Sequence, residues 1–167
     1  MRSDQVKFTA VTEPVDPDVD LTEARQRREL RRSHYGVLAV IAVGGAIGAG
    51  ARYGAGLLWP AATGSFPWTT LGVNASGCLL IGFLIVVLTE VGTAPIWARP
   101  FFGTGVLGGY TTFSTYCVDI EHLVAQGRPG LALGYLAATP VAALVAVAAG
   151  AWATRRLLAV KTAGRTR

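Results

Sequence analysis

Between residues 36 and 154 the chain is four long apolar runs divided by short polar punctuation. They cover about 36–58, 67–91, 96–125 and 130–154. Each is near or above the ~20 residues that cross a ~30 Å hydrocarbon layer as a helix. Trp59-Pro60, Pro67-Trp68 and Trp152 mark boundaries, where proline starts or ends helices and tryptophan favours the headgroup level. The intervening loops (59–66, 92–95, 126–129) are too short for a further domain. The pattern predicts an all-α membrane protein with one four-helix domain over residues 36–157. Flanking it are a charged, largely disordered tail (1–35) and a basic C-terminal tail (158–167). Within the first tail, Asp20 and Glu23 have capping-box spacing ahead of a short Arg-rich interfacial helix expected at about 21–33.

Charge sharpens this picture. The 167 residues are 51% hydrophobic and 15% charged, but residues 36–154 hold only six formal charges: Arg52, Arg99, Arg128, Glu90, Asp119 and Glu121. That composition belongs to a bilayer rather than a soluble core. The net charge of +5 therefore sits in the tails. RQRRELRR (25–32) invites a nucleic-acid reading, but basic flanks beside a membrane span act as topology signals, and no nucleic-acid partner is expected. With four spans, both tails share one side together with the 92–95 loop. Thirteen of the 15 Lys and Arg residues fall there, so the tails are expected in the cytoplasm, with the protein multi-pass in the inner (plasma) membrane. Cys78 and Cys117 lack metal or disulfide spacing, and no phosphate-binding loop or catalytic dyad is visible, so an enzyme is not expected.

The polar residues inside the apolar runs carry the chemistry. Arg52 lies about six residues from the end of the first run, deep enough for a functional site and shallow enough to snorkel. Asn74 shares a helical face with Thr70 and Cys78. It reads either as interhelical glue or as an amide donor to a passing anion. Residues 105–116, GVLGGYTTFSTY, place two glycines and a hydroxyl-rich run at membrane depth. Non-helical backbone survives there only if it is buried in protein or lines a water-filled site. A helix break at about 108–112 would free carbonyls able to hold a hard cation, and N–H groups suited to an anion. Thr112, Ser114 and Thr115 add hydroxyl donors; Phe113 and Tyr116, three apart, offer the positive edges of two rings. A kinked, hydroxyl-rich packing helix fits the same residues. Tyr135 and Thr139, with Pro140 next, form a further polar stripe.

GGAIGAGARY (44–53), TLGVNASGCLLIG (70–82) and GGYTTFSTY (108–116) together resemble the three signature segments of the Fluc/CrcB fluoride-channel family, in the family's order. The resemblance covers about residues 36–157 and implies a passive fluoride channel, an antiparallel dimer and a structural sodium ion at the dimer interface. Matched by position, it implies that Gly108 and Thr111 give backbone carbonyls to sodium and that Asn74 donates to fluoride. Phe113 would be the first ring of a phenylalanine pair. Tyr116 takes the second ring position, where Phe is usual. Arg52 matches a vestibule arginine, Asp119 stands where Glu is common, and Tyr135 and Thr139 match a polar track on the fourth helix. The charge bias of this chain opposes insertion in both orientations, so the second subunit is expected to be a related paralogue, with a homodimer as the competing outcome. The rival readings are a small four-helix proton-coupled drug exporter, which needs an embedded carboxylate, and a non-transporting membrane interaction protein working through its basic tail.

Overall fold

A computed structural model describes residues 24–62, 64–90 and 94–163. It divides into two compact units, residues 1–36 and 37–167. Of the first, the described part is the opening of helix α1 (Ala24–Leu58). The expected capping box at Asp20 and Glu23 lies outside the described residues. The separate short helix expected at 21–33 is instead the start of α1, which continues to Leu58. Residues 24–35 are mostly straight-chain helix formers, and a single glycine at 36 costs only about 1 kcal/mol, too little to stop a helix.

The second unit follows the apolar runs. Helix α2 is Trp68–Glu90. The third run opens as a π-helical segment, Arg99–Leu107, continues as one α turn, α3 (Gly108–Tyr110), and resumes as α4 (Ser114–Ala125). Helix α5 is Pro129–Ala163, longer than the expected 130–154, because residues 155–163 carry no helix breaker. Among the described residues, three helices are long and apolar enough to cross a membrane: Tyr35–Leu58, Trp68–Glu90 and Pro129–Val160. Residues 114–125 span only about 18 Å at 1.5 Å per residue, so the third crossing needs both halves.

Two glycine seams hold these elements together. A Cβ at Gly44 or Gly48 would collide with the backbone of Phe101 or Val106, and one at Gly105 or Gly109 with the backbone of Ile41 or Gly45. Bare backbones therefore bring α1 and the first half of the third run together. Gly82 and Gly150 do the same for α2 and α5, each meeting a carbonyl of the other helix (Val147 and Leu79). Without a hydrophobic drive between helices in lipid, such close approach is the main source of association.

The surface is apolar where lipid would lie, with Leu133, Val141, Leu144 and Val145 exposed along α5 and Leu80, Phe83 and Ile85 along α2. The buried cluster is small and partly aromatic: Tyr116, Leu123, Ala132 and Tyr135, backed by Phe66, Leu71, Ile120 and Leu131. At one end the Arg128 guanidinium donates to the Gly64 carbonyl, closing the 59–67 loop, whose Gly64 has a left-handed φ of 73°. At the other end, Arg155 Nε and Glu90 Oε1 form an exposed ion pair at 2.8 Å between α5 and the last residue of α2.

Candidate anion pathway

The break in the third run lies at residues 111–113, just beyond the double glycine. Gly108 is helical (φ −65°, ψ −34°), whereas Thr111 is extended (φ −72°, ψ 158°). The expectation of a break at 108–112 is therefore shifted toward its C-terminal end. The glycines serve contact with α1, and the polar side chains after them make the break.

Asn74 does most of this. Its Nδ2 donates to the Thr112 carbonyl and its Oδ1 accepts from the Thr112 N–H, both at 2.8 Å. The primary amide presents one donor and one acceptor side by side, so it pairs with an exposed peptide group as a second backbone would. In a continuous helix the Thr112 N–H would bond the Gly108 carbonyl; Asn74 takes it instead. Thr112 diverts the next one. Its Oγ1 accepts from the Thr115 N–H at 3.2 Å, as a capping hydroxyl does, and that N–H would otherwise reach the Thr111 carbonyl. The Gly108 and Thr111 carbonyls thus both lose their helical partners, through two identifiable contacts. Thr111 itself closes the preceding turn, its N–H and Oγ1 both donating to Leu107 O at 3.0 Å. Gly77 lets this happen, since a Cβ there would strike the Thr111 methyl.

Beside the break is an open groove of about 550 Å³, walled by α2, the break, α4 and α5. Asn74, Cys78, Thr111, Thr112, Phe113, Tyr116 and Thr139 line it among aliphatic residues. Asn74 is buried (8% exposed) and has spent one amide hydrogen on Thr112, leaving the second. Phe113 is 76% exposed, and its ring centroid lies 5.7 Å from that of buried Tyr116, as their spacing predicts. The Tyr116 hydroxyl donates to Leu136 O at 2.7 Å. Thr112 Oγ1 donates to Thr115 Oγ1 at 3.0 Å, so the Thr115 proton is left to point elsewhere. Ser114 lies 3.4 Å from the Thr112 hydroxyl.

Deeper along α5, Tyr135 is fully buried and donates to Asp119 Oδ2 at 3.3 Å, with the Thr70 and Thr139 hydroxyls nearby. Thr139 Oγ1 is buried and makes no hydrogen bond among the described residues, with the Tyr135 hydroxyl nearby. Of the expected pathway residues, Asn74, Phe113, Tyr116 and Thr139 line the groove, Ser114 and Thr115 neighbour Thr112, and Tyr135 packs against Tyr116 with the Thr70 hydroxyl nearby. Arg52 stays half-buried on α1 and is not among the groove residues.

Two residues carry more than the sequence pattern gave them. Thr112 is the hinge of the break, receiving Asn74 and capping α4. Asp119 sits six residues before the end of α4 and accepts from the Tyr135 hydroxyl. Its position three after Tyr116 was the available signal, because that spacing puts both on one face.

Residues 39–151 match the family model described as CrcB-like protein, Camphor Resistance (CrcB). The chain is 61% identical over 127 residues to "Fluoride-specific ion channel FluC 1" of Streptomyces coelicolor, covering 76% of this chain and 82% of the relative. It is 54% identical over 124 residues to "Fluoride-specific ion channel FluC 2" of Streptomyces avermitilis, covering 74% and 78%. With "Fluoride-specific ion channel FluC 3" of the same species it shares 40% over 133 residues, covering 80% of this chain and 64% of the relative. The three signature segments, the helices long enough to cross a bilayer and this match over most of its length agree: the chain belongs to the CrcB family.

Proposed function

We infer that this chain is one subunit of a fluoride-selective channel that lets cytoplasmic fluoride leave the cell passively across the inner membrane. The carrying observation is the 61% identity to a protein named as a fluoride-specific ion channel, over most of both chains. The groove supports it chemically. Fluoride is small and tightly hydrated, so leaving water needs dense donors at short range. Here an amide hydrogen of Asn74, the hydroxyl of Thr139 and the rings of Phe113 and Tyr116 border one groove, which no cationic side chain lines to trap the ion. A negative cell interior drives an anion outward at about 2.3 kcal/mol per 100 mV, so no energy-coupling device is required.

Gly108 and Thr111 fit a sodium ion, a hard cation that prefers oxygen ligands, because both carbonyls have been released from helical bonding. A sodium ion held there would supply a fixed positive charge that ties the break to a second subunit, since two carbonyls are only part of a coordination shell. The second subunit is a related chain in the opposite orientation. This rests on the one-sided distribution of Lys and Arg, and it is consistent with relatives named FluC 2 and FluC 3 in one species. The tails then face the cytoplasm.

The exporter reading is weaker. Glu90, at the end of α2, is engaged by Arg155 and Asp119 by Tyr135, leaving neither as an isolated exchangeable carboxylate. The deciding measurement is fluoride efflux from liposomes, read with a fluoride electrode, with this chain reconstituted alone and with its paralogue. Rapid fluoride release without chloride release is expected. Release that requires a proton gradient, or none from either preparation, would overturn the channel reading.

A further inference from the structure

Pro140 lies inside α5. It has no N–H, so it cannot donate to the carbonyl four residues earlier, which belongs to Leu136. At membrane depth such a carbonyl must find another donor. Tyr116 supplies one across the groove wall: its hydroxyl donates to Leu136 O at 2.7 Å. The ring that carries this hydroxyl is buried (7% exposed) and packs between Phe113 and Tyr135, with centroids 5.7 and 5.2 Å away. Leu136 and Pro140 both line the groove that holds Asn74 and Thr139.

The contact has two consequences. The phenolic proton is committed to protein, so Tyr116 meets the groove as a ring and not as a hydroxyl donor. An uncovered carbonyl would turn the negative end of its dipole toward any anion in the groove, and here it is covered. We propose that Tyr116 is a positioning residue of the anion path: its hydroxyl masks the carbonyl that Pro140 leaves open and, by the same bond, fixes the ring beside Phe113. The identity of the ion rests on the fluoride reading above; the masking contact does not.

The test is a double-mutant cycle on the purified full chain, using Tyr116→Phe, Pro140→Ala and their combination. Each is read by fluoride efflux from liposomes and by thermal unfolding in detergent. Phenylalanine keeps the ring and removes the donor, whereas alanine at 140 restores an N–H for Leu136. In the Pro140 chain, Tyr116→Phe is expected to lower efflux about three- to tenfold, the scale of the net contribution of one hydrogen bond. It should also lower the unfolding midpoint. In the Pro140→Ala chain the same substitution should cost much less of both. Incorporating p-aminophenylalanine at position 116 should restore efflux, because its amine still donates, whereas O-methyltyrosine should not. Equal losses in both backgrounds, or undiminished efflux with Tyr116→Phe, would overturn the proposal. If the unsubstituted chain passes no fluoride in any preparation, the fluoride reading is what fails. The unfolding cycle then judges the masking contact alone: coupled losses support it and additive losses overturn it.

Discussion

The two halves of the third membrane run solve opposite problems with neighbouring residues. Residues 99–110 are joined to α1 by bare backbone, glycine against carbonyl, with little side-chain chemistry between them. Residues 111–125 are joined to α2 and α5 by polar side chains: Asn74 on the Thr112 peptide, Tyr116 on Leu136 and Tyr135 on Asp119. One half is fixed by removing side chains, the other by giving each exposed backbone group a specific partner. The contrast separates scaffold from proposed path. Close backbone contact leaves no room for an ion, whereas a broken ladder held by side chains creates both a groove and the donors in it.

Asn74→Asp strikes the second half hardest. The carboxylate cannot donate to the Thr112 carbonyl, so two acceptors would face each other where a 2.8 Å hydrogen bond now stands. It would also place a like charge beside the anion. Fluoride efflux should fall about a hundredfold, comparable to losing a charge-assisted hydrogen bond and gaining repulsion, while size exclusion shows a folded protein. Undiminished efflux in a folded Asn74→Asp channel would break the assignment of the groove to the path. Gly48→Ala strikes the first half. The atoms its methyl would meet are the Val106 carbonyl and the Tyr110 N–H, all backbone and unable to swing away. A stability loss of about 2 kcal/mol is expected from overpacking, read as a lower unfolding midpoint in detergent. An unshifted midpoint would mean that the seam is looser than the structure has it. Phe113→Ile should have the smallest effect and sharpen the contrast most. The ring is 76% exposed in this subunit, so stability should hold. Efflux should drop roughly fivefold, since an aromatic edge contact is worth about 1 kcal/mol.

The helices were legible because apolar runs of the right length dictate them, and the break was legible because glycine followed by hydroxyl residues is poor helix material. Its position was legible only to within a few residues. Gly108 and Gly109 looked like the fracture because glycine has low helix propensity, yet that propensity is a weak prior that tertiary contact overrides. At Gly109 the missing Cβ makes room for Gly45, and the helix runs on through it. The real fracture needed a partner 38 residues away, and no local pattern reveals that Asn74 reaches Thr112. The same holds for Tyr116. Its ring position beside Phe113 followed from spacing, but its hydroxyl answers to a proline on another helix. Arg52 was legible only as a depth, because its neighbours on α1 say nothing about what it faces.

The Asn74 contact also bears on how the chain is made. During synthesis a membrane segment must have its peptide groups satisfied when it leaves the translocation machinery for lipid. The Thr112 peptide group finds no backbone partner within its own run. Its partner, Asn74, sits on α2, which the ribosome has already delivered, so the third run can be completed as it emerges. The hydroxyl of Tyr116, by contrast, meets a carbonyl on α5, which does not yet exist at that moment. The order of the helices along the chain thus sets an order of assembly: α2 receives the break first, and the ring of Tyr116 finds its anchor only when the last span arrives.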